Sequence, residues 1–306
     1  MMTTYAIETF ALRKEYGNKL AVKSLSLGVR QGEIFGFLGP NGAGKTTSIK
    51  MLLGLTRPTS GGASLFGISL GQPVVRAQIG FLPEHFRFPT WLTGEEFLNY
   101  SGKLSGTPDA ELKKNIPYWL ERVGLTDFRH AQLRTYSKGM LQRIGLAQAL
   151  VHDPKLIFLD EPTSGLDPVG RRMVRDIMTQ LREQGKTVFL NSHLLSEVEI
   201  TCDRVAFIKH GEVLRIEEVN RLNQGNTRVH LQVQNLSAEA AAGLRARCEI
   251  LSAQDSHWIF SLTDAEQLPE INRFLVENGA QVYALTPEKT SLEDLFLEIV
   301  GTDGGL

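Results

Sequence analysis

The run Gly39-Pro40-Asn41-Gly42-Ala43-Gly44-Lys45-Thr46-Thr47 constrains this chain more than any other stretch. It fits the spacing G-x-x-x-x-G-K-S/T, with Gly39, Gly44, Lys45 and Thr46 in the fixed places. Glycines let a backbone curl until several N–H groups face one cavity, a nest for anionic oxygens. Lys45 is then expected to reach the β- and γ-phosphates of a nucleotide, and the Thr46 hydroxyl to bind Mg2+. The flanks agree with this reading. Glu33-Ile34-Phe35-Gly36-Phe37-Leu38 predicts a short buried strand, and Ser48 to Leu53 predicts a helix that stops at Gly54. Strand, glycine loop and helix in that order place a helix N-terminus, with its partial positive charge, under the phosphates.

The 306 residues suffice for two domains and a well-buried core. A formal net charge of −1 offers no bulk attraction to nucleic acid, and no nucleic-acid partner is expected. No apolar run reaches the length of a membrane span, and Met1-Met2-Thr3-Thr4-Tyr5 carries no signal-peptide pattern. Any role at a membrane is therefore expected to run through a partner. Cys202 and Cys248 stand far apart in no metal-ligand spacing and read as small hydrophobes in a reducing cytoplasm.

Leu25, Leu27 and Val29 alternate as in a half-buried strand, and strands are also predicted at Ala63 to Phe66 and Ile79 to Leu82. From Pro83 to about Tyr136 the pattern is helical throughout, best over Glu95 to Leu104 and Glu111 to Val123. An α/β alternation follows: helix Met140–Val151, strand Leu156–Leu159, helix Val169–Gln184, strand Thr187–Leu190, helix Leu194–Ile200 and strand Arg204–Lys209. Buried strands alternating with helices predict a parallel sheet covered on both faces. A polar break at Asn223-Gln224-Gly225-Asn226 predicts a domain boundary. Beyond it the order is strand, helix, strand, strand, helix, strand, helix, which resembles a small split βαβ sandwich.

Leu156-Ile157-Phe158-Leu159-Asp160-Glu161 is an apolar strand ending in two acids. Asp160, fixed at the strand end, can hold Mg2+ through its water shell, and Glu161 can orient and deprotonate an attacking water. Ser164-Gly165-Leu166-Asp167-Pro168 follows, then Asn191-Ser192-His193 after the next strand. Tyr136-Ser137-Lys138-Gly139-Met140-Leu141-Gln142-Arg143 precedes the acids by one helix.

With these motifs in this order, residues 5 to 220 resemble the ATP-binding subunits of ABC transporters. The resemblance implies a P-loop ABC-cassette core of residues 1–222, with a helical subdomain at about 84–138 and a small α+β accessory domain at 223–306. It implies that Tyr16 stacks on adenine and that Gly39 to Thr47 cradles the phosphates of ATP. It assigns Thr46, Asp160 and Glu84 to Mg2+, Glu161 to the catalytic base, and His193 and Lys45 to the γ-phosphate. Ser137, Gly139 and Met140 match the signature loop, and Ser164 to Asp167 the loop that crosses the dimer interface. In this family the facing subunit supplies the signature loop, so ATP joins two copies and hydrolysis loosens them. The implied partners are a second copy and a separate integral membrane permease, with the subunit attached peripherally at the cytoplasmic face.

Two positions depart from the usual pattern. Glu84 stands where the family has a glutamine, and either binds the metal directly or points away from it. The signature reads Tyr-Ser-Lys-Gly-Met, which keeps Ser137 and Gly139 and adds the cation of Lys138. Both variants, and the tail Ser291 to Phe296, look like the type-2 exporter branch. Phe86, Phe88 and Trp91 either line a groove for a helix of the membrane partner or fill the helical subdomain. The alternative function is a soluble ABC ATPase acting on ribosomes or DNA. One cassette without a charged linker, a coiled-coil insertion or a zinc module argues against it.

Overall fold

The computed structural model describes residues 4–221, 227–262, 265–288 and 291–301. They fall into two compact units: those within Met1–Glu217 and Phe296–Leu306, and those within Glu218–Leu295. In chain order the elements run β1 (Tyr5–Tyr16), β2 (Lys19–Arg30), β3 (Ile34–Leu38), α1 (Lys45–Leu52), β4 (Ser60–Leu65), β5 (Ile68–Ser69), α2 (Pro73–Arg76) and β6 (Ile79–Leu82). Then come α3 (Gly94–Leu104), α4 (Asp109–Arg122), α5 (Lys138–Leu150), β7 (Leu156–Asp160), α6 (Pro168–Glu183), β8 (Thr187–Asn191), α7 (Leu195–Thr201), β9 (Arg204–Lys209) and β10 (Glu212–Glu218). The tail adds β11 (Thr227–Gln234), α8 (Ala238–Arg247), β12 (Glu249–Gln254), β13 (His257–Leu262), α9 (Leu268–Glu277), β14 (Gln281–Glu288) and α10 (Leu292–Val300).

Strands β3, β7 and β8 are buried at every residue, which is why each reads as an unbroken apolar run. They pair in parallel, as do β6 with β7 and β3 with β9. Phe35, Phe37 and Phe158 all pack on Phe189, with ring centroids 5.9, 5.0 and 5.3 Å away. Each buried phenyl ring of this kind contributes about 1.5–3 kcal/mol. This core fixes the strand ends from which the functional loops leave.

The sheet as a whole is not purely parallel, contrary to the sequence expectation. Its ten strands run β5-β4-β1-β2-β10-β9-β3-β8-β7-β6, and β1, β2, β4 and β5 pair antiparallel. β1 shows no steady alternation because its register shifts between Thr9 and Leu12, where Ala11 takes a φ of 47°. A bulge puts two neighbours on one side of the pleat and erases the period-2 signal. The stretch from Pro83 to Tyr136 is also less helical than predicted. α3 begins only after Thr93, whose side chain closes a capping box with Glu96. Beyond α4, residues 124–137 hold short 3-10 turns at Thr126–Phe128 and Leu133–Thr135.

The second unit has a four-stranded antiparallel sheet in the order β12-β13-β11-β14. Its core joins Val229, Leu231, Val233 and Phe260 to Leu244 of α8 and to Ile271 and Leu275 of α9. That is the split βαβ arrangement expected for the tail. The predicted boundary at Asn223–Asn226 lies outside the described residues. The end of α10 belongs to the first unit, where Phe296 packs on Phe207 with centroids 6.3 Å apart and Lys209 Nζ donates to the Val300 carbonyl at 2.6 Å.

Candidate functional site

The loop between β3 and α1 owes its shape to glycines that no other residue could replace without strain. Gly44, the N-cap of α1, has a φ of 96°, and a Cβ there would lie 2.5 Å from the Ala21 carbonyl oxygen. A Cβ on Gly39 would lie 2.4 Å from the Ile208 carbonyl oxygen. No side chain caps α1 and no acid occupies its first turn, so the helix start presents bare amides and positive potential to an anion. Lys45 Nζ donates to the carbonyls of Gly39 at 2.5 Å and Pro40 at 3.1 Å, which holds the ammonium over the loop. Thr46 is exposed, Thr47 half-buried and Ser48 fully buried.

Three acids from two other segments surround that lysine. Burial lowers the Lys45 pKa, and the charges of Glu161, Asp160 and Glu84 oppose this. Asp160 and Glu161 lie at the end of β7, 2% and 7% exposed. Burial raises the Asp160 carboxyl above its ordinary value, while hydrogen bonds from the Asn191 amide and the Glu84 backbone N–H favour the ionised form. Burial also raises Glu161, against the pull of His193, whose Nδ1 is 2.7 Å from Glu161 Oε2. Glu161 adopts a φ of 53°, unusual for a non-glycine residue, and its N–H donates to the Asn191 carbonyl at 2.9 Å. The Glu84 side chain is 46% exposed, with Oε1 3.8 Å from His85 Nε2, so the backbone of Glu84 is what touches Asp160.

Ser137, Gly139 and Met140 sit elsewhere. α5 starts at Lys138, two residues before the expected Met140, because Ser137 caps it by accepting the Met140 N–H at 3.2 Å. Ser137 and Gly139 line a cavity of about 550 Å³ with Gly165, Leu166 and Asp167, and no residue of the Gly39–Thr47 loop lines it. Asp167 caps α6 through the Gly170 N–H at 2.8 Å. Tyr16 closes the β1–β2 hairpin, 48% exposed, with Lys14 Nζ 4.7 Å from its ring centroid. Phe86 stacks on Phe88 and Phe88 packs on Phe97, so these two rings fill the helical region, whereas Trp91 is 71% exposed.

Sequence reasoning gave no role to two buried amides. Asn191 Nδ2 donates to Asp160 Oδ1 at 2.5 Å, and Gln142 Nε2 donates to the carbonyls of Glu161 and Pro162. A lone polar side chain on the buried stripe of α5 is the signal that could have singled out Gln142.

A glycine loop entering a helix, a lysine above it, and a buried acid pair at the end of β7, one strand removed from β3 in the sheet, define a nucleoside-triphosphate-binding α/β protein. Residues 22–164 match the family model for ABC transporters, and residues 206–300 match that for the C-terminal domain of ATP-binding proteins like DrrA1-3. The chain is 40% identical over 307 residues to an ABC transporter ATP-binding protein of Nostoc, covering 96% of this chain and 90% of that protein. It is 38% identical over 302 residues to the bacitracin transport ATP-binding protein of Bacillus licheniformis, covering 96% and 97%. With the linearmycin resistance ATP-binding protein of Bacillus subtilis it shares 34% identity over 301 residues, covering 95% and 96%. A dimeric ATP-binding cassette in a post-hydrolysis state, bound to ADP and Pi, matches with a TM-score of 0.64 at 26% identity, over 70% of this chain and 98% of that one. The chain belongs to the ATP-binding proteins of ABC transporters. It is an ATP-hydrolysing transporter subunit, as the motif order led us to expect. Subunits of this family dimerise and work with a membrane permease. Among the described residues no helix is long and apolar enough to cross a membrane.

Proposed function

We propose that two copies of this chain close on ATP at the cytoplasmic face of a membrane and drive export through a separate permease. One observation carries the reading. Lys45, Asp160, Glu161 and His193 converge at one loop, whereas Ser137 and Gly139 line a separate cavity. The second jaw on each nucleotide is then supplied by the facing copy.

In this reading the Gly39–Thr47 amides and Lys45 hold the phosphates, and Tyr16 offers its exposed ring to the adenine. Thr46, Asp160 and Glu84 offer oxygens to Mg2+. The donor set suits that ion, which takes few carboxylates and fills its shell with phosphate oxygens and water. When bound, Mg2+ neutralises charge on the β- and γ-phosphate oxygens. Glu161 accepts the proton of the attacking water, a role suited to a carboxyl whose basicity burial has raised. His193 holds Glu161 through the 2.7 Å contact and faces the γ-phosphate. Ser137, Gly139 and the Met140 end of α5 complete the other copy's site. Residues 1–222 are assigned to the cassette and the chain from 223 to the accessory domain, except that the end of α10 from Phe296 returns to the first unit. Export is favoured by the relatives named for bacitracin transport and linearmycin resistance.

Lys45→Ala is expected to abolish nucleotide binding in equilibrium titrations. Glu161→Gln is expected to keep binding, stop turnover and trap an ATP-held dimer on size-exclusion chromatography. Parental hydrolysis by Glu161→Gln, or a monomer at saturating ATP, would overturn the reading.

A further inference from the structure

We propose that Gln142 is a positioning residue that couples the jaw a subunit lends to its partner to the catalytic carboxylate of its own site. The proposal rests on the two-copy reading above.

Gln142 is 3% exposed and lies in α5, on the helix that Ser137 caps. Its Nε2 donates to the Glu161 carbonyl and to the Pro162 carbonyl, both at 3.1 Å. A side-chain amide nitrogen has two hydrogens, and both are used. The two carbonyls are those of the base itself and of the residue that follows it beyond the end of β7. On its other side the Glu161 N–H is held by the Asn191 carbonyl at 2.9 Å. Glu161 is thus clamped between α5 and β8 in a backbone conformation, φ 53°, that needs holding.

The same helix is packed onto the loop that follows the base. A Cβ on Gly139 would lie 3.6 Å from both the Gly165 carbonyl oxygen and Leu166 Cδ2, and one on Gly165 would lie 3.0 Å from the Lys138 Cε. The serine-bearing helix and the base are therefore tied together by Gln142, the side chain of α5 that bonds the carbonyls of Glu161 and Pro162. A buried amide with both hydrogens bonded moves with the two carbonyls it holds. When the partner's nucleotide draws Ser137 and Gly139 in, α5 carries the movement to Glu161. Each site then reports its occupancy to the other, and hydrolysis is cooperative in ATP.

The test uses the purified full-length chain and steady-state hydrolysis as a function of ATP concentration. Gln142→Met keeps length and approximate volume and removes both donors. It is expected to bind ATP with parental affinity, to lose about tenfold in kcat, and to bring a Hill coefficient above one in the parent down to about one. Gln142→Asn keeps the donors on a shorter stem; it is expected to shift in the same direction and serves if Gln142→Met does not fold. A folded variant with parental kcat and Hill coefficient overturns the proposal. So does one that only lowers Tm and leaves cooperativity intact, since that is the mark of a merely structural contact. Failure of Glu161→Gln to form an ATP-held dimer is a separate result, which removes the two-copy reading and this inference together.

Discussion

Glu161 carries opposing demands in a single side chain. Burial raises its pKa above the ordinary 4.5, and the charges of Asp160 and Glu84 push the same way, while His193 pulls it down. A carboxyl with a raised folded-state pKa binds its proton more tightly folded than unfolded. Its share of stability is therefore greatest below the unfolded value and is lost as pH rises through the folded one. At neutral pH the ionised group is a cost that function requires. Glu161→Gln is accordingly expected to raise the Tm of the first unit by about 2–4 °C at neutral pH, the shift that about 1 kcal/mol produces in a unit of about 150–250 residues. Scanning calorimetry checks this, and the gain should shrink as pH falls and the parent carboxyl protonates. Parental ATPase activity should fall over the same acid limb, because the base must be ionised to take a proton. An unchanged or lower Tm for Glu161→Gln at neutral pH would mean that the hydrogen bond to His193 outweighs the buried charge.

The elements around the loop show which glycines are obligatory and why. Gly44 combines a φ of 96° with a carbonyl 2.5 Å from where a Cβ would sit, whereas Gly42, at φ 79°, has open space there. Gly44→Ala is expected to cost about 1–3 kcal/mol and to abolish nucleotide binding, since relief of the clash must move the start of α1. Gly42→Ala carries only the backbone strain and should be the milder variant in urea unfolding and in nucleotide titration. The strand–loop–helix unit was legible because all its information lies within about twenty consecutive residues. The start of α5 was not, because a cap is a contact between a side chain and an amide, and Gly139 interrupts the apolar period that marks a helix. β1 escaped for a related reason: its bulge at Ala11 breaks the alternation on which strand recognition depends.

At the scale of the molecule, the chain returns to its first unit after building the second. Phe296 is 1% exposed and packs on Phe207, and Lys209 reaches the Val300 carbonyl. Phe296→Ala is expected to destabilise the first unit by about 3–5 kcal/mol, read by urea unfolding with nucleotide binding as the local probe. Val276→Ala, at a position 56% exposed on α9, is the control and should be near neutral. If Phe296→Ala left the unfolding of the nucleotide-binding unit unchanged, the return of the chain would be without energetic weight.

The amino-acid sequence by itself determined the local chemistry: the glycine loop, the acid pair at the end of an apolar strand, the histidine after the next strand, and the βα order of the tail. These are short-range patterns, in which side-chain type and spacing dictate backbone conformation directly. Tertiary structure alone decided that the sheet is mixed, that Phe86 and Phe88 turn inward while Trp91 stays out, that Asn191 and Gln142 grip the acid pair, and that the last helix ends against β9. Each depends on residues far apart in the chain meeting in a close-packed interior, where hydrogen-bond satisfaction and volume select one arrangement among many that the pattern permits.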